Sequence, residues 1–285
     1  MLLTAGCQQS VSLGPVADEV AATKIREALL SGDGGGEVQA AESGGTGWAT
    51  LKGRFVYEGT PPVMPAYDVK GGDMQVCSPG GVTPKQETLV VDPETGGIAN
   101  IAVYVRKAPR VHESAQALTD SVLFDQKECV FLSHVFAINV GQTMAIKNSD
   151  PVGHNTNIEG KNAFNQTVPA GGTVEWPITK EEALPKAVRC SIHPWMLSYL
   201  LPRKDRYFAV TNEKGEFEIA YLPAGEDVEL QVWHESAPGN SGAVVLKSPE
   251  AKELSWSSKG RFTVRLDPDS TKNLDLAVPS SAFGG

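Results

Sequence analysis

The stretch VRCSIHPWMLS, residues 188–198, places three side chains with metal-binding chemistry close together in the chain. Cys190 offers a thiolate, His193 an imidazole and Met196 a thioether. Taken singly, a cysteine or methionine of this kind is most often a core residue. The spacing Cys-x-x-His-x-x-Met, however, leads to the hypothesis that the three residues form a metal-binding loop.

A second stretch, KNSDPVGHNTNIEG at residues 147–160, supplies another imidazole at His154. Two imidazoles and a thiolate in one plane, with a long thioether bond on the axis, are the ligand set of a blue-copper site. Zinc suits the set less well, because a closed zinc site needs more cysteine or histidine. The pattern therefore predicts one copper held by His154, Cys190, His193 and Met196.

The two motifs NSDPVGHN and CSIHPWM resemble those of the cupredoxins, over roughly residues 122–203. The short ligand loop, with Pro194 directly after His193, is similar to that of amicyanin, a relative of plastocyanin. The resemblance implies a Greek-key β-sandwich carrying one type 1 copper that transfers electrons. It also implies that Asn155, next to the upstream histidine, ties the two ligand loops together; the alternative is an asparagine in a turn.

The same resemblance implies where electrons would leave the site. In cupredoxins the edge of the downstream histidine is exposed and ringed by apolar residues. Here the ring would be Pro194, Trp195 and Leu197, and we expect these residues to form an electron-exit and docking patch around His193. The alternative is that Trp195 packs on a neighbouring sandwich.

After residue 46 the chain reads as short alternating strands separated by turn residues, which predicts an all-β fold of sandwich or barrel type. Residues 134–150, HVFAINVGQTMAIKNSD, are predicted to form a hairpin around a Gly-Gln turn.

A second resemblance lies in YFAVTNEKGEFEIAYLPAGEDVELQVWHE, residues 207–235. This stretch resembles the closing half of a carboxypeptidase regulatory-like domain, a transthyretin-like β-sandwich, with Gly215 in a tight hairpin. KGRFVYEG and ANIAVYV, both before residue 106, would be its opening half. The separation of the two halves indicates an insertion; two sandwiches packed beside one another in tandem are the alternative.

This organisation gives four predicted segments. Residues 1–46 are an export segment, a short helix and a glycine-rich linker. Residues 47–110 and 204–280 are the two parts of the regulatory-like sandwich, and residues 111–203 are the copper domain.

The cysteines outside the ligand loop bear on cell location. MLLTAGCQQS at the N-terminus resembles a bacterial lipobox with Cys7 as the lipidation site, although no basic and apolar leader precedes it. In an exported protein Cys77 and Cys129 would usually pair. The alternative is two small buried thiols.

The composition limits the partners. Asp and Glu number 34 against 25 Lys and Arg, for a net charge of −9, which argues against nucleic acid and favours a basic partner. We therefore expect an exported electron carrier, periplasmic or in the cell envelope, that serves a redox protein such as a basic cytochrome and is not an enzyme with a small-molecule substrate. The alternative is a cell-surface binding or structural module whose copper site is vestigial, or serves copper storage or delivery.

Overall fold

The computed structural model describes residues 45–239 and 241–284, so Cys7, the predicted N-terminal helix and almost all of the linker lie outside the described residues. The described part is all-β, as the sequence predicted. Two short helices accompany the strands: α1 (Met74–Cys77) and α2 (Pro249–Glu253). The strands are β1 (Trp48–Glu58), β2 (Ala102–Val105), β3 (Ser121–Lys127), β4 (Val130–Phe131), β5 (Val135–Asn139), β6 (Thr143–Asn148), β7 (His154–Ile158), β8 (Phe164–Val168), β9 (Thr173–Pro177), β10 (Lys186–Arg189), β11 (Leu197–Arg203), β12 (Phe208–Val210), β13 (Glu216–Pro223), β14 (Asp227–Trp233), β15 (Arg261–Arg265) and β16 (Thr271–Pro279).

The strands form two pairs of sheets. We call the sandwich formed by the first and last strands of the chain the outer sandwich; its sheets have the orders β13-β1-β16 and β12-β2-β14-β15. The sandwich formed by the strands between them in sequence is the inner sandwich; its sheets have the orders β5-β11-β10-β7-β8 and β4-β3-β6-β9. Strands that precede residue 106 thus pair with strands that follow residue 207, and residues 121–203 supply the inner sandwich. The domain boundaries near residues 110 and 203 stay a prediction.

β1 lies at the centre of its sheet, between β13 and β16, and buries one face. Leu51 and Phe55 are fully buried in the core of the outer sandwich. Between them Gly53 faces β16, where a Cβ atom would lie 1.9 Å from the carbonyl oxygen of Leu274. Only glycine lets the two backbones approach this closely.

Two predicted hairpins are wrong in the same way. β5 pairs with β11 and β6 with β3 and β9, so residues 134–150 cross from one sheet of the inner sandwich to the other. Likewise β12 pairs with β2 and β13 with β1. The turn at Gly215 exists, with φ +75°, but it joins two sheets. Alternating apolar residues place one face of a strand on a core and do not specify its neighbour.

The two sandwiches share an apolar contact. Ala102, Tyr104 and Trp233 of the outer sandwich form one buried cluster with Val135 and Leu201 of the inner sandwich.

A long connection between β1 and β2 reaches over the inner sandwich. We name residues 59–97 of this connection the cap. Tyr67, Val69 and Cys77 of the cap join the apolar core of the inner sandwich, whereas Leu89 and Val91 join that of the outer one. The cap therefore spans both. Within the described residues no helix has the length and apolar character needed to cross a bilayer.

Candidate metal centre

Three strands of one sheet position the predicted ligands. His154 is the first residue of β7, Cys190 directly follows β10, and Met196 directly precedes β11. The seven-residue loop is closed on itself, because Cys190 N–H donates to Met196 O (3.3 Å) and Met196 N–H donates to His193 O (3.0 Å). β7 and β11 both flank β10, so the upstream histidine is held beside the loop.

The donor atoms converge on one buried point. Nδ1 of His154 and Nδ1 of His193 lie 2.9 Å apart, and Sγ of Cys190 lies 3.8 Å from Nδ1 of His193. All three residues are almost fully buried, and so is Met196, which is 1% exposed and belongs to the same core cluster as Cys190. The structure therefore brings the two predicted imidazoles and the thiol together, with the methionine in the same core.

Each imidazole has a carboxylate behind it. Nε2 of His154 lies 2.7 Å from Asp150 Oδ2, and Nε2 of His193 lies 3.1 Å from Asp73 Oδ2. A carboxylate at Nε2 favours the tautomer with its proton on that atom, which leaves a lone pair on Nδ1. In the neutral rings both lone pairs then face each other and the sulfur. Such an arrangement attracts a cation, so the donor set fits a metal ion.

The proton balance of the site agrees with that geometry. Burial by itself would lower the pKa of His154, but hydrogen bonds to Asp150 and Cys190 outweigh burial and raise the pKa to about 9. Burial outweighs the hydrogen bond that His193 donates to Asp73 and holds the pKa of His193 below its usual value. A proton on His154 thus occupies the position between the donors in the metal-free protein, and a metal that binds there would displace it.

The surroundings of Cys190 favour its thiolate form. Burial would raise the pKa of this thiol, but hydrogen bonds from His154 and from backbone N–H groups outweigh burial and lower it. The N–H groups of Asn155 and His193 each lie 3.3 Å from Sγ. Hydrogen bonds of this kind stabilise the thiolate, which is the form that binds metal.

Asn155 connects the two ligand-bearing segments. Its Oδ1 accepts from the N–H of Ser191 at 3.2 Å and from Oγ of Ser191 at 2.9 Å, while its Nδ2 donates to Oδ1 of Asn165 at 3.0 Å. Together with the backbone bond to the sulfur, these contacts hold the ligand loop against β7.

The edge of His193 differs from the expectation. The predicted patch required an exposed imidazole edge, but His193 is 3% exposed and Asp73 of the cap covers its Nε2 atom. Pro194 is exposed, whereas Trp195 and Leu197 are partly buried. Trp195 lies with its ring centroid 5.1 Å from that of His193, and its indole N–H donates to the carbonyl oxygen of Cys129. The cap, which is distant from His193 in sequence, therefore covers the edge of the imidazole that was expected to be exposed.

The structure joins Cys77 of the cap to Cys129 of the inner sandwich in a disulfide, and both residues are fully buried. Cys129 lies in the two-residue turn between β3 and β4, where Glu128 and Cys129 both have positive φ. Asp150 accepts the N–H groups of both turn residues, at 2.6 and 2.9 Å. The disulfide is therefore next to the carboxylate that orients His154.

Sequence reasoning missed both carboxylates. Asp150 could have been found, because it precedes His154 by four residues within the quoted motif. Asp73 gave no signal, because 120 residues separate it from His193. Only the path of the cap brings it to the site.

No family model matches the sequence, and no curated protein matches it. Among solved structures, amicyanin from Paracoccus versutus is similar over 35% of this chain and 97% of its own, with 16% identity and a TM-score of 0.27. A copper-containing nitrite reductase from Thermus scotoductus is similar over 29% of this chain, with 22% identity and a TM-score of 0.27. This chain spans only 22% of that enzyme's length. Both TM-scores are low, so the metal centre is inferred from the positions of its donor atoms.

Proposed function

We propose that His154, Cys190 and His193 would hold one copper ion, with Met196 as a further, weaker ligand, and that the protein carries single electrons between redox partners. The observation that supports the proposal is the convergence of two Nδ1 atoms and one thiolate sulfur at a buried point. Copper, when bound there, would supply a one-electron couple between Cu(II) and Cu(I).

The protein's own groups would keep the site rigid through that change. The carboxylates of Asp73 and Asp150 orient the imidazoles, and Asn155 holds the ligand loop to β7. Soft sulfur favours Cu(I) and imidazole favours Cu(II), so a mixed set suits both states. A geometry that serves both states lowers the reorganisation needed for electron transfer.

A role as a carrier, and not as an oxidase or reductase, is part of the proposal. Among the described residues, each group of three His, Cys, Asp or Glu residues within ligand distance includes His154 or His193. These groups overlap at the one centre, and its donors are buried. An enzyme would need a further position that is open to substrate.

We propose that the partner is a basic redox protein. The net charge of −9 favours such a partner, and electron transfer between the two should slow as salt screens the attraction. Because Asp73 covers the edge of His193, the electron path that we propose runs through Trp195, which is partly buried and lies beside that histidine.

Export to the periplasm or cell envelope is also proposed. The disulfide between Cys77 and Cys129 supports it, since such bonds persist in oxidising compartments. Attachment to the membrane through Cys7 would be tested by mass spectrometry of the protein from its native membrane fraction.

The test of the copper site is an absorption and EPR spectrum of the Cu(II)-loaded protein. We expect an intense visible thiolate-to-copper band with narrow copper hyperfine splitting. Cys190→Ala should abolish the band, and Met196→Leu should shift it. Met144→Leu is the matched control, because Met144 is equally buried in the same core but lies outside the ligand loop. Weak d–d bands that Cys190→Ala leaves unchanged would refute the proposal.

A further inference from the structure

The cap carries both a covalent anchor and a group that closes the metal centre. Cys77 anchors the cap to the inner sandwich through its disulfide with Cys129, and Asp73 places a carboxylate on Nε2 of His193. The side chain of Asp73 is 39% exposed, whereas that of His193 is 4% exposed. The carboxylate therefore stands between the imidazole and solvent.

One turn of helix links these two functions rigidly. Asp73 is the N-cap of α1 and Cys77 is its last residue, and Cys77 N–H donates to Asp73 O at 2.9 Å. The carboxylate of Asp73 makes no capping bond to the helix, so it is free to face the histidine. Because one helical turn separates the two residues, the disulfide holds the backbone of Asp73 close to His193.

The other end of the disulfide is equally constrained. Cys129 occupies a left-handed backbone conformation, φ +56°, which a residue with a side chain rarely adopts. Its N–H group and that of Glu128 are held by Asp150, which also faces Nε2 of His154. The disulfide thus joins the supports of the two histidines, and releasing it would loosen both.

Few other polar contacts hold the cap to the inner sandwich. The carboxylate of Glu87 lies 3.3 Å from Nδ1 of His134, near the other end of the cap. Around α1 the remaining attachment is apolar, through Tyr67, Val69 and Val76. Without the disulfide, this apolar contact and one ion pair would hold the cap. Such an attachment opens far more readily than a cross-linked one, because a disulfide limits the open states of the chain.

We propose that the Cys77–Cys129 disulfide is a redox latch on the metal centre, and that a dithiol reductant opens it so that the cap leaves His193. This inference rests on the proposed copper site. Because both sulfurs are fully buried, the contact around α1 must first open locally to admit the reductant. One thiolate of the dithiol then attacks a sulfur of the disulfide, the S–S bond breaks, and a mixed disulfide forms. The second thiol of the reductant then displaces the other protein thiol. Two electrons pass to the protein, both cysteines end as thiols, and the reductant ends as a disulfide.

The first experiment needs no metal. The metal-free protein is compared with its intact disulfide and after treatment with dithiothreitol, by hydrogen–deuterium exchange and mass spectrometry. We expect amide exchange in residues 67–77 to rise about tenfold or more on reduction. Modification of His193 by diethyl pyrocarbonate should rise with it. Peptides from β15 in the outer sandwich should not change.

Two outcomes would overturn the latch. If exchange in residues 67–77 is unchanged by reduction, other contacts hold the cap. If β15 exchanges equally fast, the disulfide supports the whole fold and is not a local latch.

The second experiment measures transfer of copper from the loaded protein to a chelator. Cys77→Ala/Cys129→Ala should release copper about tenfold faster than the wild type. Its thiolate band should be retained, because Cys190 is untouched. In a second arm, both proteins are treated with dithiothreitol and desalted before copper transfer is measured. This treatment should accelerate transfer from the wild type and leave transfer from the double variant unchanged. Equal release rates would refute the latch with the copper site intact, whereas a wild type without the thiolate band would refute the proposed copper site itself.

Discussion

Oδ2 of Asp150 lies 2.7 Å from Nε2 of His154 and 2.9 Å from the backbone nitrogen of Cys129. One carboxylate oxygen therefore orients a proposed metal ligand and holds the turn that carries the disulfide. Hydrogen bonds, with burial opposing them, keep the pKa of Asp150 below its usual value, so the group stays ionised. The support of the metal centre and the anchor of the cap are thus not independent.

Asp150→Asn should weaken copper binding. The amide keeps only one of the two oxygens that accept from the turn, and it lacks the charge that stabilises the tautomer of His154. We expect copper affinity to fall by about 10–100-fold, as for other groups that orient ligands. Competition with a copper chelator measures it. Asp73→Asn is the matched variant at His193, and an affinity equal to that of the wild type in Asp150→Asn would contradict this role.

Asn155→Ala should loosen the ligand loop without removing any donor. The backbone N–H to Cys190 remains, but both contacts to Ser191 are lost. We expect a shifted thiolate-to-copper band and faster copper release. Asn165→Ala serves as the control, because it removes only the partner of Nδ2. If both variants change the spectrum equally, the contact to Ser191 is not what holds the loop.

Protein stability should fall between about pH 6.5 and pH 9, because of His134. Burial would lower the pKa of this histidine, but hydrogen bonds to Glu235 and Glu87 outweigh burial and raise the pKa to about 9. A raised folded-state pKa stabilises the protein below the unfolded value of about 6.5, and the effect is lost as pH rises through 9. We expect a loss of about 3 kcal/mol, since one pKa unit corresponds to about 1.4 kcal/mol.

Urea unfolding at about pH 6, 7.5 and 9.5, which lie below, within and above that range, measures this effect. His134→Gln should reduce the slope in that range, because the neutral amide does not titrate; the slope that remains would come from His154, whose pKa is also raised to about 9. A variant whose stability falls as steeply as that of the wild type would show that other groups cause the dependence.

Arg203→Ala should destabilise the contact between the sandwiches. The buried guanidinium donates to the carbonyl oxygen of Val105 at 2.7 Å and lies 3.1 Å from Glu181. Its removal leaves buried acceptors unpaired, at a cost of roughly 3–5 kcal/mol. Arg265→Ala removes an exposed ion pair with Asp227 and should cost less than about 1 kcal/mol. Denaturant unfolding compares them, and equal losses would contradict the assignment.

The turn between β3 and β4 offers a test of backbone strain. Glu128 has φ +53°, a conformation that costs a residue with a side chain about 1 kcal/mol and glycine much less. Glu128→Gly should be at least as stable as the wild type, and Glu128→Val should be less stable by about 1 kcal/mol. Thermal unfolding compares the two. Equal stability of the valine variant would show that the turn can relax.

The sequence by itself determined the all-β class and the local geometry of the ligand loop. Strand formation follows from alternating apolar residues, which act over a few positions, and Cys190, His193 and Met196 lie within one closed loop. The motif NSDPVGHN also led to the prediction of His154 and Asn155 as site residues.

The tertiary structure decided which strands became neighbours and what covers the metal centre. Sheet partners depend on contacts across the whole chain, so two predicted hairpins proved to be crossings between sheets. Asp73 lies in a segment without a regular pattern, and its position follows from the apolar anchors of the cap and from the Cys77–Cys129 bond. Long-range burial, which a local pattern does not encode, thus converted an expected exposed histidine into a covered one.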